Sequence, residues 1–153
     1  MIWFEDMPVG RVDRYGRAEV TREDVIDFAR KYDPQPFHLD DAAAAANPLF
    51  GRLAASGWQT AGFGMRMTAD HWAAIGGRSI LGGAGVDELR WLKPVFPRDV
   101  LRCESEVIDA RPSASKPDRG IVRSRLTVFN QHDEPVMRQV SNIIVQRRPA
   151  DAD

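Results

Sequence analysis

Ser56-Gly57-Trp58-Gln59-Thr60-Ala61-Gly62-Phe63-Gly64-Met65-Arg66-Met67-Thr68-Ala69-Asp70-His71-Trp72 is the stretch around which the rest of the chain is organised. Trp58, Ala61, Met65, Thr68/Ala69 and Trp72 recur at helical spacing, so about 56–72 reads as a helix with one apolar stripe. So much apolar and so little charged surface marks a helix that is buried. Ala54, Ala55, Gly57, Gly62 and Gly64 are small enough to let another backbone approach closely. Each glycine within a helix costs about 1 kcal/mol relative to alanine. Tight packing must therefore offset them.

Working outward towards the N-terminus, Thr21 and Asp24 have the form of a capping box. Val25, Phe28, Ala29 and Tyr32 then follow at helical spacing, which predicts an amphipathic helix over 22–32. Asp33 precedes Pro34 and is pushed out of helical conformation, so the helix stops there. Asp40 is placed to cap a short alanine-rich helix over Asp41–Ala46, which Asn47-Pro48 ends. Residues 1–20 read as an entry loop and one short strand near Val12-Asp13-Arg14-Tyr15.

After Gly76 the pattern is β. Val86–Leu92, Val100–Ile108, Ile121–Phe129 and Val136–Gln146 are rich in β-branched and aliphatic residues and are separated by turn-forming segments. Gly82-Gly83-Ala84-Gly85 precedes a strand rather than a helix, so it reads as a turn or bulge, not a phosphate loop. Helices followed by adjacent strands predict an α+β fold with an antiparallel sheet. The 153 residues fit a single domain, 1–153, with a polar tail at 148–153 expected to be disordered.

The 21 Lys and Arg residues nearly balance 22 Asp and Glu, which argues against a dedicated nucleic-acid binder. No run approaches the roughly 18 apolar residues of a membrane span. The acidic start, Met1-Ile2-Trp3-Phe4-Glu5-Asp6, lacks the form of a signal peptide. A cytoplasmic location is the simplest expectation. Cys103 alone excludes an internal disulfide framework, and no paired His or Cys spacing suggests a metal site.

His132 falls in a polar loop and reads as a surface residue. His71, near the end of the central helix, reads as packing or capping. His38 stands apart because Asp33 and His38 bracket Pro34-Gln35-Pro36-Phe37, a segment that two prolines hold extended. A stiff backbone lowers the entropy of placing a carboxylate beside an imidazole, and such a pair can share acid–base work near neutral pH. The spacing is equally compatible with Asp33 ending one helix and His38 capping the next.

The run Phe28-Ala29-Arg30-Lys31-Tyr32-Asp33-Pro34-Gln35-Pro36-Phe37-His38-Leu39-Asp40, continuing to Ala43, resembles the hydratase signature of MaoC-like dehydratases. These are hot-dog-fold relatives of the (R)-specific enoyl-CoA hydratases. The likeness continues in Phe50–Gly57 and in Leu89–Leu101, and about 5–147 can be laid on the family's plan. Gln35 stands where the signature usually has asparagine, and Ser56 where many members have histidine.

The resemblance implies a hot-dog fold, in which a long central helix is wrapped by a curved antiparallel sheet. It implies a homodimer or larger assembly, an acyl-CoA thioester substrate, and no metal or redox cofactor. Asp33 would orient and deprotonate a water adding to C3 of a trans-2-enoyl thioester. His38 would assist and return a proton to C2, giving syn addition. The Gly57 amide, at the start of the central helix, is the expected donor to the enolate-like oxygen, with Ser56 adding a hydroxyl contact to substrate. The CoA phosphates would prefer basic neighbours such as Arg66, Arg90 or Lys93, among which the sequence does not choose. Two further readings stay open: a hot-dog thioesterase, though 56–69 offers no acid before Asp70, and a non-catalytic acyl-thioester binding module, to which Gln35 and Ser56 point.

Overall fold

A computed structural model describes residues 1–150. In chain order it contains β1 (Val12–Glu19), α1 (Arg22–Tyr32), α2 (Asp41–Ala46), α3 (Gly57–Ala74), β2 (Ile80–Trp91), β3 (Val100–Pro112), β4 (Arg119–Phe129) and β5 (Pro135–Gln146). The five strands form one sheet in the order β1-β3-β4-β5-β2, and every neighbouring pair is antiparallel. The inner face of this sheet packs on α3, chiefly through β1 and β3, which is the hot-dog architecture expected from the resemblance. No helix of the described residues is long and apolar enough to cross a membrane.

Alternation along the strands supplies the core. Leu101, Cys103 and Val107 of β3, Val122, Leu126 and Val128 of β4, and Met137 and Val145 of β5 are all buried. Successive residues of a strand point to opposite faces, so every second residue contributes to the inner layer. Cys103 is fully buried, and burial pushes its thiol up to about 12.

Helix starts follow their caps. The Thr21 side chain accepts from the Asp24 amide, and Asp40 accepts from the Ala43 amide at 2.8 Å. The observed α1 and α2 match the expected spans, and α3 runs two residues beyond its expected end.

The structure changes three sequence expectations. The buried face of α3 is Gln59, Thr60, Gly64, Met67 and Thr68, whereas Trp58 and Met65 of the expected buried stripe are 59% and 49% exposed. On the buried face Gly64 packs tightly on β4: a Cβ there would lie 3.2 Å from Val128 Cγ2. Bulky Trp58 or Met65 in that place would hold the two layers apart. Second, Pro36–His38 is not extended but forms a 3₁₀ turn, with the Leu39 amide donating to the Pro36 carbonyl. Third, Gly82–Gly85 lies within β2, where the register against β5 shifts on both sides of Gly82-Gly83. The bulge reading holds and the turn reading does not.

Part of the expected tail is tied down. Arg147 Nε donates to Glu5 at 3.0 Å and the Arg148 guanidinium to Asp6 at 2.8 Å. The remainder of that expectation, at 151–153, lies outside the described residues.

Gly16 lets β1 pass over α3. Its φ of +82° is in the left-handed region, and a Cβ would lie 2.6 Å from Met67 Sδ. Gly16→Ala should therefore combine backbone strain with overpacking and cost about 2–4 kcal/mol. Urea unfolding monitored by circular dichroism reads this as a lower midpoint at unchanged slope. A midpoint equal to that of the unsubstituted protein would contradict the account.

Candidate active site

The site forms where α1 ends against the start of α3. Asp33 closes α1, its amide donating to the Ala29 carbonyl, and its backbone turns away at φ −150°. The next residues tighten into the 3₁₀ turn that carries His38. This places the His38 ring in the interior, 4% exposed, edge-on to Phe37 at 4.6 Å between ring centres and 5.7 Å from Phe50.

The two ring nitrogens of His38 are distinguished by their partners. Nδ1 lies 2.6 Å from the Ala54 carbonyl oxygen. A carbonyl only accepts, so Nδ1 carries the proton and donates. Nε2 then has the free lone pair of the neutral ring, and it faces Asp33 Oδ2 at 3.4 Å. That separation is longer than an ordinary hydrogen bond and well within electrostatic range.

Both carboxylate oxygens of Asp33 are already engaged. Ser56 donates its hydroxyl to Oδ2 at 2.7 Å, and Gln35 donates its side-chain amide to Oδ1 at 2.7 Å. Burial pushes the Asp33 carboxyl up, but the hydrogen bonds from Ser56 and Gln35, joined by the charge of His38 whenever its ring is protonated, outweigh it. The carboxyl is held below its usual range. Asp33 is therefore ionised at neutral pH.

Ser56 also caps α3, accepting from the Trp58 amide at 3.3 Å, and is fully buried. The sequence reading gave its hydroxyl to substrate; the structure gives it to Asp33. Gly57 opens α3, where the first-turn amides have no carbonyl four residues back to meet. The Trp58 amide meets Ser56 Oγ and the Gln59 and Thr60 amides meet the Ser56 carbonyl, while the Gly57 amide meets no acceptor among the described residues.

The space beside the Gly57 Cα is taken by a side chain and is not open to ligand. A Cβ there would lie 2.4 Å from Trp91 Cε2, and Trp91 Nε1 donates to the Gly57 carbonyl at 2.8 Å. The glycine makes room for an indole.

These groups line a cavity of about 630 Å³, walled mainly by apolar side chains such as Phe37, Phe50, Trp58, Trp91, Leu92 and Val95. The volume suits a small organic ligand with a few fixed polar contacts. Among the described residues no three His, Cys, Asp or Glu side chains gather as metal ligands.

The family model for the MaoC-like domain matches residues 5–128. The chain belongs to the MaoC-like dehydratase family. This MaoC-like domain is 39% identical to a MaoC-like dehydratase from Rhodospirillum rubrum, covering 97% of this chain and 99% of that one with a TM-score of 0.86. An (R)-hydratase from Pseudomonas aeruginosa is 27% identical, with 96% and 87% of the two chains covered and a TM-score of 0.69. A mesaconyl-CoA hydratase from Cereibacter sphaeroides is 42% identical over 64 residues, which is 42% of this chain and 18% of that protein.

Within this MaoC-like domain the structure brings Asp33, His38 and Gly57 to one cavity, which Lys93 also lines, and sets Ser56 behind it as a donor to Asp33. Lys93 is paired with Glu134, Arg66 with Asp70 at 2.9 Å, and Arg90 donates to the Leu89 carbonyl. The sequence reading missed Gln35 as a partner of Asp33, as well as Trp91 and Thr60. A donor two residues from an aspartate, across a proline, was the available signal for Gln35. Trp91 comes from another element and had no local signal.

Ser56→Ala removes one of the two hydrogen bonds that favour the charged carboxylate, so the Asp33 titration should move upward, towards the ordinary carboxylate range. Carbon-detected NMR titration of the side-chain carboxyl measures it. A midpoint that stays put or falls would refute the assignment. The same change removes the α3 cap and should cost about 1 kcal/mol.

Proposed function

We propose that the protein is a hydro-lyase that reversibly hydrates a trans-2-enoyl thioester, with acyl-CoA as the substrate class. The observation that carries this reading is the orientation of His38. Its Nδ1 is fixed on the Ala54 carbonyl, and its Nε2 lone pair faces an ionised Asp33 at the wall of an apolar cavity. Membership of the MaoC-like dehydratase family and the likeness to an (R)-hydratase support it.

In this mechanism a water sits on the cavity side of the pair, within hydrogen-bond reach of both Nε2 and Asp33. Asp33 is held ionised and is the weaker base for its hydrogen bonds, so it orients the water and balances the cation that forms on His38. Nε2 takes one proton as the water oxygen bonds to C3. The C2=C3 electrons move towards the thioester carbonyl and give an enolate-like oxygen. The Gly57 amide, at the positive end of α3, donates to that oxygen. The proton on Nε2 then passes to C2, and the C2=C3 double bond has become a C3–OH and a C2–H. One water-bound group serves both carbons, so addition and dehydration are syn. The sequence reading made Asp33 the deprotonating group; the hydrogen bonds on both its oxygens favour His38 instead. No step is routed through a metal or redox cofactor.

A thioesterase reading needs an acid on α3 beside the cavity. The one acid there, Asp70, pairs with Arg66 at the surface. Gln35, where the signature usually has asparagine, donates its side-chain amide to Asp33, which favours activity over a purely binding role.

The decisive experiment follows loss of enoyl absorbance with a panel of trans-2-enoyl-CoAs of graded length and branching, mesaconyl-CoA included. Asp33→Asn and His38→Gln, each shown to be folded, should lose about 10²–10⁴-fold in kcat. Turnover that survives in His38→Gln would overturn the mechanism. Binding of acyl-CoA without turnover on any member would favour a binding module.

A homodimer is part of the proposal. Edge strand β2 pairs only with β5 and leaves Leu81, Val86 and Trp91 exposed, on a molecule whose α3 flank also exposes Trp58 and Met65. An unpaired apolar edge is a template for another chain. Sedimentation equilibrium should show twice the chain mass, and Val86→Lys should shift the equilibrium towards monomer. A monomer at tens of micromolar would contradict this part.

A further inference from the structure

Thr60 is a buried polar group that the proposed chemistry does not use. It lines the cavity, is 2% exposed, and sits one helical turn beyond Ser56 and Gly57 on α3. Gly57 is half-buried and Thr60 buried, so Thr60 lies further in than the amide that meets the thioester oxygen in the proposed mechanism. A threonine inside a helix ordinarily returns its hydroxyl to the carbonyl four residues back. Thr68, on the same helix, does this to the Gly64 carbonyl at 2.8 Å. For Thr60 that carbonyl is Ser56, which already accepts from the Gln59 amide at 3.0 Å and the Thr60 amide at 3.1 Å. The Thr60 hydroxyl has no hydrogen-bond partner among the described residues, yet it is not among the sealed, unpartnered atoms, so the surface it retains opens into the cavity.

Its depth narrows what it meets. Gln35, Trp58, Trp91, Leu92 and Lys93 are the exposed rim, whereas His38, Ala55, Thr60 and Val95 are the buried wall. A thioester entering from the rim brings its acyl end to that wall. A lone hydroxyl among apolar side chains is costly to leave without a partner. A plain alkyl group beside it would leave it so; a group with its own oxygen would not.

From this, and resting on the hydratase reading for its catalytic arm, we infer that Thr60 is a specificity-determining residue that selects acyl groups carrying an oxygen function at the end away from the thioester. The hydroxyl donates to a carbonyl or carboxylate oxygen there, or exchanges a hydrogen bond with a hydroxyl. Hydrocarbon acyl groups of the same shape are disfavoured, because they strand the buried hydroxyl.

The test uses a shape-matched pair: a trans-2-hexenoyl-CoA and its isostere in which the terminal methyl is replaced by hydroxyl. The unsubstituted protein should favour the isostere by about tenfold in kcat/KM. Thr60→Val keeps the shape and removes the hydroxyl, so it should abolish that ratio, and Thr60→Ser should restore it. Thr60→Ala serves as the second hydroxyl-free variant if the valine form does not fold. The ratio, unlike the absolute rate, is insensitive to a merely structural loss. If neither thioester is turned over, the hydratase reading fails by itself. The preference is then read from the dissociation constants of the two thioesters, by quenching of the cavity's Trp58 and Trp91 fluorescence. Equal constants for the pair, or a ratio unchanged in Thr60→Val, would overturn the inference.

Discussion

The hydrogen bond from Ser56 to Asp33 ties together three pieces of chain that are otherwise independent: the end of α1, the proline-bracketed turn, and the start of α3. It is made by a hydroxyl that simultaneously caps α3, so the same atom fixes where the helix begins and which way the carboxylate faces. Gln35 holds the other oxygen, and His38 is pinned by the Ala54 carbonyl just ahead of Ser56. The geometry is over-determined by the backbone around it. Pre-organised groups of this kind act without reorganising when charge appears in a ligand.

The electrostatic arrangement follows from the same constraint. An anionic carboxylate and the amide end of α3 share one corner of the cavity, where the helix dipole favours negative charge. Burial opposes ionisation of Asp33, and the hydrogen bonds from Ser56 and Gln35 are the main forces that overcome it. The imidazole, with its inner nitrogen committed, is left as the group free to gain and lose a proton.

Much of the fold was legible because it rests on local signals. Thr21, Asp40 and the prolines fix helix boundaries through their own backbone chemistry, and alternation in β3, β4 and β5 marks the inner layer. The pair Asp33 and His38 was legible through the resemblance; its spacing alone also fitted two helix ends, and the segment between them folds into a 3₁₀ turn rather than staying extended. The rotation of α3 was not legible. Apolarity pointed to the Trp58 and Met65 stripe, but the face that packs on the sheet is the one with Gly64, which carries no hydropathy signal at all. Trp91 over Gly57 and the idle hydroxyl of Thr60 depend on β2 and on which carbonyls are already occupied, and neither can be read along the chain.

Cys103 has a consequence of another kind. Its sulfur lies in the centre of the inner layer, with no exposure and a thiol pushed up to about 12. An alkylating reagent can reach it only when β3 and α3 part, and it must then meet a thiolate, the reactive form. As the one cysteine of the chain, it turns the rate of covalent labelling into a clock for opening of the core. Where closing outpaces reaction, that rate reports the equilibrium between shut and open molecules; where reaction is faster, it reports how often the core opens. The protein thus carries its own gauge of breathing, at a position outside the lining of the cavity.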